Sequence, residues 1–142
     1  MEKRLFVLLL GLCCLAFASP VAAENFHFIK PEILKQNLDS GKSMVLIDIQ
    51  QQQDFDHHHI PGALATYAYP VKTSDDQKKL EGILLACKGD NAPVIIICPR
   101  GGGGAQRAYA YLKKQGVPES RLSILENGQQ GWTYPEWTEG IH

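Results

Sequence analysis

The amino-acid sequence predicts an α/β fold: a mostly parallel sheet with helices on both faces. Three observations carry that prediction. The runs Met44–Ile49, Val94–Ile97 and Leu122–Leu125 are apolar with little polar alternation, as strands covered on both faces are. Between them lie stretches with helical spacing, so successive strands are joined by crossovers rather than hairpins, and right-handed crossovers make parallel pairs. The third observation is the junction after Ile97, where Cys98-Pro99-Arg100 leads into four glycines, Gly101 to Gly104, and then Ala105. Ligands of such sheets sit beyond the carboxyl ends of the strands, which is where this junction falls.

Taken in order, the chain of 142 residues opens with Met1-Glu2-Lys3-Arg4, the apolar run Leu5–Phe17, the break Ser19-Pro20 and the small residues Val21-Ala22-Ala23. That pattern is a secretory signal peptide cleaved near Ala23, and its apolar run is too short for a membrane span of about 20 residues. Cys13 and Cys14 follow Leu12, where a bacterial lipoprotein signal usually has a small residue, so lipidation is the weaker expectation. Removing residues 1–23 leaves about 120 residues, 24–142, enough for one domain with one core. The remainder is slightly acidic and has no basic run, so it lacks the electrostatic footprint of a nucleic-acid binder.

Phe26–Ile29 reads as a short strand, and Pro31 sits well at the first turn of a helix running to Leu38, closed by Asp39-Ser40-Gly41-Lys42. After the Met44–Ile49 strand, Gln51–Asp56 reads as a short helix. His57–Ala63 reads as a loop entering a strand at Leu64–Thr66. Ser74 reads as an N-cap before Asp75 and Asp76, and Leu80, Ile83, Leu84 and Cys87 are spaced as one face of a single helix. Gly89-Asp90-Asn91 ends it before the Val94–Ile97 strand. Ala105–Gln115 reads as a helix stopped by Gly116. Leu122–Leu125 is the last strand and Gly128–Trp132 a turn. Repeats and linkers are absent.

The chemistry concentrates at Cys98. Glycines at a strand-to-helix junction let backbone N–H groups turn inward, and the helix that follows adds the positive end of its dipole, so the loop favours an anion. Helix N-termini favour thiolate over thiol, and the thiolate is the nucleophile. Cys87 is the other cysteine outside the signal segment. The pair can be two free thiols, the reading the loop favours, or a disulfide in an oxidising compartment. Arg100 is the one charged side chain inside the loop and either meets an anionic donor or points to water. The run His57-His58-His59 has no acidic or cysteine partner at ligand spacing, so it reads as a solvated loop rather than a metal site. Tyr109, Tyr111, Trp132 and Trp137 read as packing residues.

Ile47-Asp48-Ile49, Asp54-Phe55, His59-Ile60-Pro61-Gly62-Ala63, Cys98 with its loop, and Leu125-Glu126-Asn127-Gly128-Gln129-Gln130-Gly131-Trp132 together resemble the successive signatures of a rhodanese-like domain. The resemblance runs from about Ile29 to Trp137 and is closest to small single-domain periplasmic members. It implies a single domain with a five-stranded, mostly parallel sheet and helices on both faces. It also implies a catalytic Cys98 that carries sulfane sulfur as a persulfide inside the loop Pro99–Ala105, with no metal or organic cofactor. Asp48, His59, Gly62, Gly128 and Trp132 match the family's structural motif positions.

Two departures qualify it. Gln50 stands where the family has an arginine that makes a structural ion pair. The loop reads as one residue longer than usual and lacks the common arginine near its far end. Longer loops resemble those of related phosphatases, but a phosphate clamp needs arginine at the position occupied by Gly104.

The function these readings imply is an exported sulfurtransferase, periplasmic or secreted. It takes sulfur from a small donor (persulfide, polysulfide or, more weakly, thiosulfate) and passes it to a thiol or other acceptor, with a protein partner possible. The alternative is a non-catalytic sulfur or selenium carrier, or a binding module of an exported redox assembly. A third reading is a structural domain with Cys87 and Cys98 bridged.

Overall fold

The computed structural model describes residues 24–141, so the expected signal peptide, its expected cleavage near Ala23 and the lipidation question at Cys13 and Cys14 lie outside the described residues. The chain runs β1 (Phe28–Ile29), α1 (Pro31–Asp39), β2 (Val45–Asp48), α2 (Gln52–His57), β3 (Leu64–Ala65), α3 (Ser74–Lys78), α4 (Leu84–Lys88), β4 (Val94–Ile97), α5 (Gly103–Lys114) and β5 (Leu122–Leu125). Short 3-10 turns at Glu81–Ile83, Glu119–Arg121, Gln129–Gly131 and Pro135–Trp137 complete it.

The five strands form one sheet in the order β1-β5-β4-β2-β3, and every pairing is parallel. β4 is central, in register with β2 from Val45↔Val94 to Asp48↔Ile97 and with β5 from Val94↔Leu122 to Ile96↔Ile124. All four residues of β4 are buried because alternate side chains enter two different layers. Val94 and Ile96 pack with Ala105, Ala108 and Leu112 of α5 and with Leu80 and Cys87. Ile95 and Ile97 pack with Leu34 of α1, Ile60 and Trp132. This two-sided burial is why β4 carries β-branched residues without polar alternation.

Two local expectations are corrected. The cap of α3 is Thr73, not Ser74: Thr73 Oγ1 accepts the Asp76 N–H at 3.1 Å while Asp76 Oδ2 accepts the Thr73 N–H at 3.1 Å. That reciprocal pair satisfies two donors where a cap one residue later would satisfy fewer. The face Leu80–Cys87 is not one helix either. α3 ends at Lys78, a 3-10 turn covers Glu81–Ile83, and α4 starts at Leu84. Gly82 sits in the break, and glycine costs about 1 kcal/mol in a helix interior. Leu80, Ile83 and Cys87 are still buried together, so the spacing located the buried face correctly while the backbone reaches it in two pieces. α5 begins at Gly103, two residues before the expected Ala105.

Among the described residues, no helix is long and apolar enough to cross a membrane.

Candidate functional site

Cys98 follows β4 directly, and five residues later α5 begins. Its Sγ accepts the Gly101 N–H at 2.9 Å, and the residue is 1 % exposed, so the sulfur lies inside the loop rather than on the surface. Gly101 has φ +73, a left-handed conformation in which side chains are strained, and a Cβ there would come within 2.8 Å of the Asn127 nitrogen. That backbone twist is what aims its N–H at the sulfur.

The four glycines therefore do different things. Gly101 donates to the sulfur. Gly102 borders open space. Gly103 leaves room for Arg107, whose Nη1 would lie 3.0 Å from a Cβ placed there. Gly104 lies against the Tyr69 ring, 2.7 Å from where its own Cβ would be. Within the loop, the expected inward ring of amides reduces to one bonded N–H, supplemented by the free N–H groups that open any α-helix. Pro99 is half-buried and Arg100 is exposed, with its side chain in no hydrogen bond or ion pair among the described residues. Ala105 is fully buried under the loop.

The turn after β5 clamps this loop from the other side. Gln129 N–H donates to the Cys98 carbonyl at 2.8 Å and Gln130 N–H to the Pro99 carbonyl at 3.0 Å. Gly128 makes the approach feasible: at φ +58 it sits so close that a Cβ would overlap the Cys98 carbonyl oxygen. Trp132 seals the turn, with its indole N–H donating to the Trp137 carbonyl at 2.8 Å, while Trp137 Nε1 donates to Asp39 at the end of α1 at 2.7 Å.

Asp48 and His59 belong to a supporting layer. Asp48 is fully buried at the carboxyl end of β2. Its two oxygens accept the Gln50 N–H at 2.8 Å and Gln50 Nε2 at 3.0 Å, and Nε2 also donates to the His58 carbonyl at 3.0 Å. Burial pushes the Asp48 carboxyl up to about 6, with the two Gln50 bonds pulling it part of the way back. Gln50 thus meets Asp48 through hydrogen bonds from neutral groups, at the position where the family resemblance implies an arginine. His59 stacks on Phe55 at 3.9 Å with rings 8° apart, and its Nδ1–H donates to the Phe55 carbonyl at 2.7 Å. Backbone bonds of 2.9 Å in both directions between His59 and Glu139 tie the C-terminal segment to it. Gly62 turns the chain at φ +82 between them and β3. His57 and His58 are exposed.

Both cysteines among the described residues, Cys87 and Cys98, are free. Cys87 is buried in α4 against the α5 layer, and burial pushes its thiol up, which makes it a poor nucleophile. Only Cys98 has a backbone donor on its sulfur among the described residues.

One site residue escaped the sequence reading. Arg107 folds back along the first turns of α5 over Gly103, and its Nε and Nη2 donate to the Pro70 carbonyl at 3.0 and 2.9 Å. That carbonyl belongs to a segment with Tyr67 and Val71 at φ +56 and +60, unfavourable for any side chain and worst for a β-branched one. The signal available was spacing: Gly103 and Arg107 are four apart, neighbours on a helix surface.

A family model described as Rhodanese-like domain matches residues 30–134. The chain belongs to the rhodanese-like domain family. The fold agrees: a rhodanese-like domain protein of Staphylococcus aureus superposes with a TM-score of 0.63 at 18 % identity, covering 82 % of this chain and 100 % of that one. An As–Sb reductase of Leishmania major superposes with a TM-score of 0.64 at 17 % identity, covering 83 % and 88 %. The rhodanese-like fold is thus shared with proteins of different named activities. By sequence, the chain is 24 % identical over 111 residues to YrkF of Bacillus subtilis (strain 168), a protein for which sulfur carriage is proposed. The match covers 78 % of this chain and 53 % of YrkF, so the chain spans about half of that relative's length.

Proposed function

We propose that this rhodanese-like protein is an exported sulfurtransferase that carries sulfane sulfur as a persulfide on Cys98. The observation that carries the proposal is the 2.9 Å bond from Gly101 N–H to Cys98 Sγ, in a loop between β4 and the N-terminus of α5 at the sheet's carboxyl edge. The Cys98 thiolate attacks the outer sulfur of a donor. The new S–S bond forms as the donor's own bond to that sulfur breaks, and the donor remnant leaves with the electron pair. An acceptor thiolate then attacks the outer sulfur and releases Cys98 as thiolate. The chemistry runs through the thiol and invokes no metal or organic cofactor. A persulfide extends the transferable atom about 2 Å beyond Sγ, which helps a buried cysteine reach an acceptor. Export follows from the signal-peptide pattern ending near Ala23.

The donor is a low-molecular-weight persulfide or polysulfide in preference to thiosulfate. Arg107 carries its charge beside Gly103, but two of its nitrogens are turned to the Pro70 carbonyl, and Arg100 stands exposed and unanchored, so neither guanidinium hydrogen-bonds into the loop around Cys98 to receive a sulfonate. Losing charge-assisted bonds of that kind weakens binding by about 1–3 kcal/mol, roughly 5- to 150-fold. Comparing kcat/KM for thiosulfate and glutathione persulfide in the wild type and Arg100→Ala tests this, and a clear preference for thiosulfate in the wild type refutes it.

The second reading is a carrier without fast turnover, supported by the 1 % exposure of Cys98 and by the likeness to YrkF. Intact mass after incubation with a donor separates the readings from a structural domain: gain of one sulfur atom on Cys98 is expected. Steady-state turnover with excess acceptor then separates enzyme from carrier.

A further inference from the structure

α2 is fastened to the rest of the protein mainly by polar groups. None of its residues from Gln52 to His57 is buried, and a helix of six residues has little stability of its own. Half-buried Phe55 stacks on His59 and meets Tyr67 edge-on, with ring centroids 6.0 Å apart. On the outer side, the Ile141 N–H donates to the Asp56 carbonyl at 2.7 Å. Towards the sheet, Gln50 Nε2 donates to the His58 carbonyl at the helix end and, with the same NH2 group, to Asp48. Because one NH2 serves two acceptors, the orientation of the Gln50 amide is settled: turned over, it would set its oxygen against both.

Strand alternation puts the Asp48 side chain on the Leu46 face of the sheet, where Ile60 and Trp132 pack, whereas Cys98 joins the α5 layer. The carboxyl is fully buried, and its hydrogen-bond donors among the described residues are the two neutral N–H groups of Gln50. Gln50 and His58 both line a groove of about 510 Å³ that also takes in Asp54, His57, Trp132 and Pro99, the residue after Cys98. A carboxylate buried without a bonded cation is costly, and the cost falls wherever water reaches it. Burial raises the Asp48 carboxyl from 3.8 to about 6, against the two bonds from Gln50; the charge of His59 lowers it and that of Asp54 raises it by less. The other titratable groups nearby are His57 and His58, exposed beside the groove, and Glu139, 3.5 Å from His59 Nε2; the neighbouring strands β3 and β4 bring none. A form in which water wets the carboxyl therefore holds its proton less tightly than the closed form, so opening gains on closure as pH rises from about 4 to 6.

We propose that α2 and His58 form a pH-dependent flap over Asp48, closed in mild acid and opening more often towards neutral pH, as the ionised carboxylate draws water in from the groove. The hinge is the Gln50–His58 contact, the polar link between the helix end and the sheet. Because the flap carries Asp54, His57 and His58, its opening reshapes the groove beside Pro99, next to the Cys98 loop. The inference stands apart from the persulfide reading, since it concerns Asp48 and not the thiol.

Amide hydrogen exchange of the whole protein tests it, read at Phe55 and His58, whose N–H groups donate to the Gln51 and Asp54 carbonyls, and at Ile96 in β4 as the global reference. After correction for intrinsic exchange, full wetting of Asp48 would raise the opening constant about 25-fold between about pH 4.5 and 7.5, so a rise of at least about fivefold is expected. Low urea should leave exchange at Phe55 and His58 nearly unchanged while it speeds Ile96, as a local opening requires. Asp48→Asn should flatten the pH profile while keeping His57, His58 and His59. A flat wild-type profile, a rise that persists in Asp48→Asn and so belongs to the histidines, or exchange of α2 only with Ile96 each overturns the proposal. If Asp48→Asn does not fold, a 13C titration of the wild-type Asp48 carboxyl decides. The rise in opening should level off at the pH where that carboxyl titrates, and a mismatch refutes the flap.

Discussion

Replacing Gln50 by arginine should stabilise the protein progressively as pH rises. Asp48 lies fully buried, with its carboxyl raised from an ordinary 3.8 to about 6 because burial outweighs the two hydrogen bonds from Gln50. The folded-state value exceeds the unfolded one, so the folded protein binds more protons between about pH 4 and 6. Whatever stability a neutral Asp48 allows is complete below the unfolded value and is lost as pH rises through about 6. At about 1.4 kcal/mol per unit, the ionised carboxylate costs the fold about 3 kcal/mol at neutral pH. Gln50 Nε2 already lies 3.0 Å from Asp48 Oδ2, and Gln50 borders the groove, so a longer guanidinium has both a partner and room. Paired with a cation, Asp48 should return towards the ordinary carboxylate range and shed most of that cost. Urea denaturation of wild type and Gln50→Arg at about pH 4.5, 6 and 7.5 should show the stability difference moving in favour of the variant by up to about 2 kcal/mol across the range. Only below about pH 4, where Asp48 is uncharged in both proteins, should the variant be neutral or slightly destabilised, because the guanidinium then faces an uncharged acid. A difference that stays flat with pH would refute the argument. A 13C titration of the Asp48 carboxyl gives the direct check.

Cys98→Ser should abolish sulfur loading while Cys87→Ser retains most of it, since burial pushes the Cys87 thiol up and only Cys98 has Gly101 on its sulfur; intact mass of each variant decides. Gly128→Ala should cost at least about 2 kcal/mol in urea unfolding, because it combines a left-handed residue with overlap on the Cys98 carbonyl, and any folded fraction should load sulfur poorly. Arg107→Ala should lose about 1.5–3 kcal/mol by freeing the Pro70 carbonyl, with little change in the thiosulfate-to-persulfide ratio of kcat/KM. A selective loss of thiosulfate in that variant would show instead that Arg107 serves the loop as its anion clamp.

The sequence by itself determined what depends on local pattern. β4 and its two layers were legible because burial on both faces demands an unbroken apolar run, and Val94–Ile97 is one. Cys98 was legible because a strand that ends in a cysteine and passes through glycines into a helix has few other uses. The ordered signatures from Asp48 to Trp132 identified the family on this evidence alone. The Thr73 cap was also written locally, in a threonine and an aspartate three apart, and was missed because Ser74 offered a nearer candidate.

Tertiary structure decided the rest, because the deciding contacts join residues far apart in the chain. Which glycine serves the sulfur depends on Asn127 and Leu125, whose backbone crowds Gly101. Arg107 has its role only because Pro70 lies across from it, and Asp48 becomes a weak acid only because two layers close over it. The Gln129 amide illustrates the point most fully. In sequence it is one polar residue in a turn, and only the fold surrounds it with partners for its backbone and none for its side-chain oxygen.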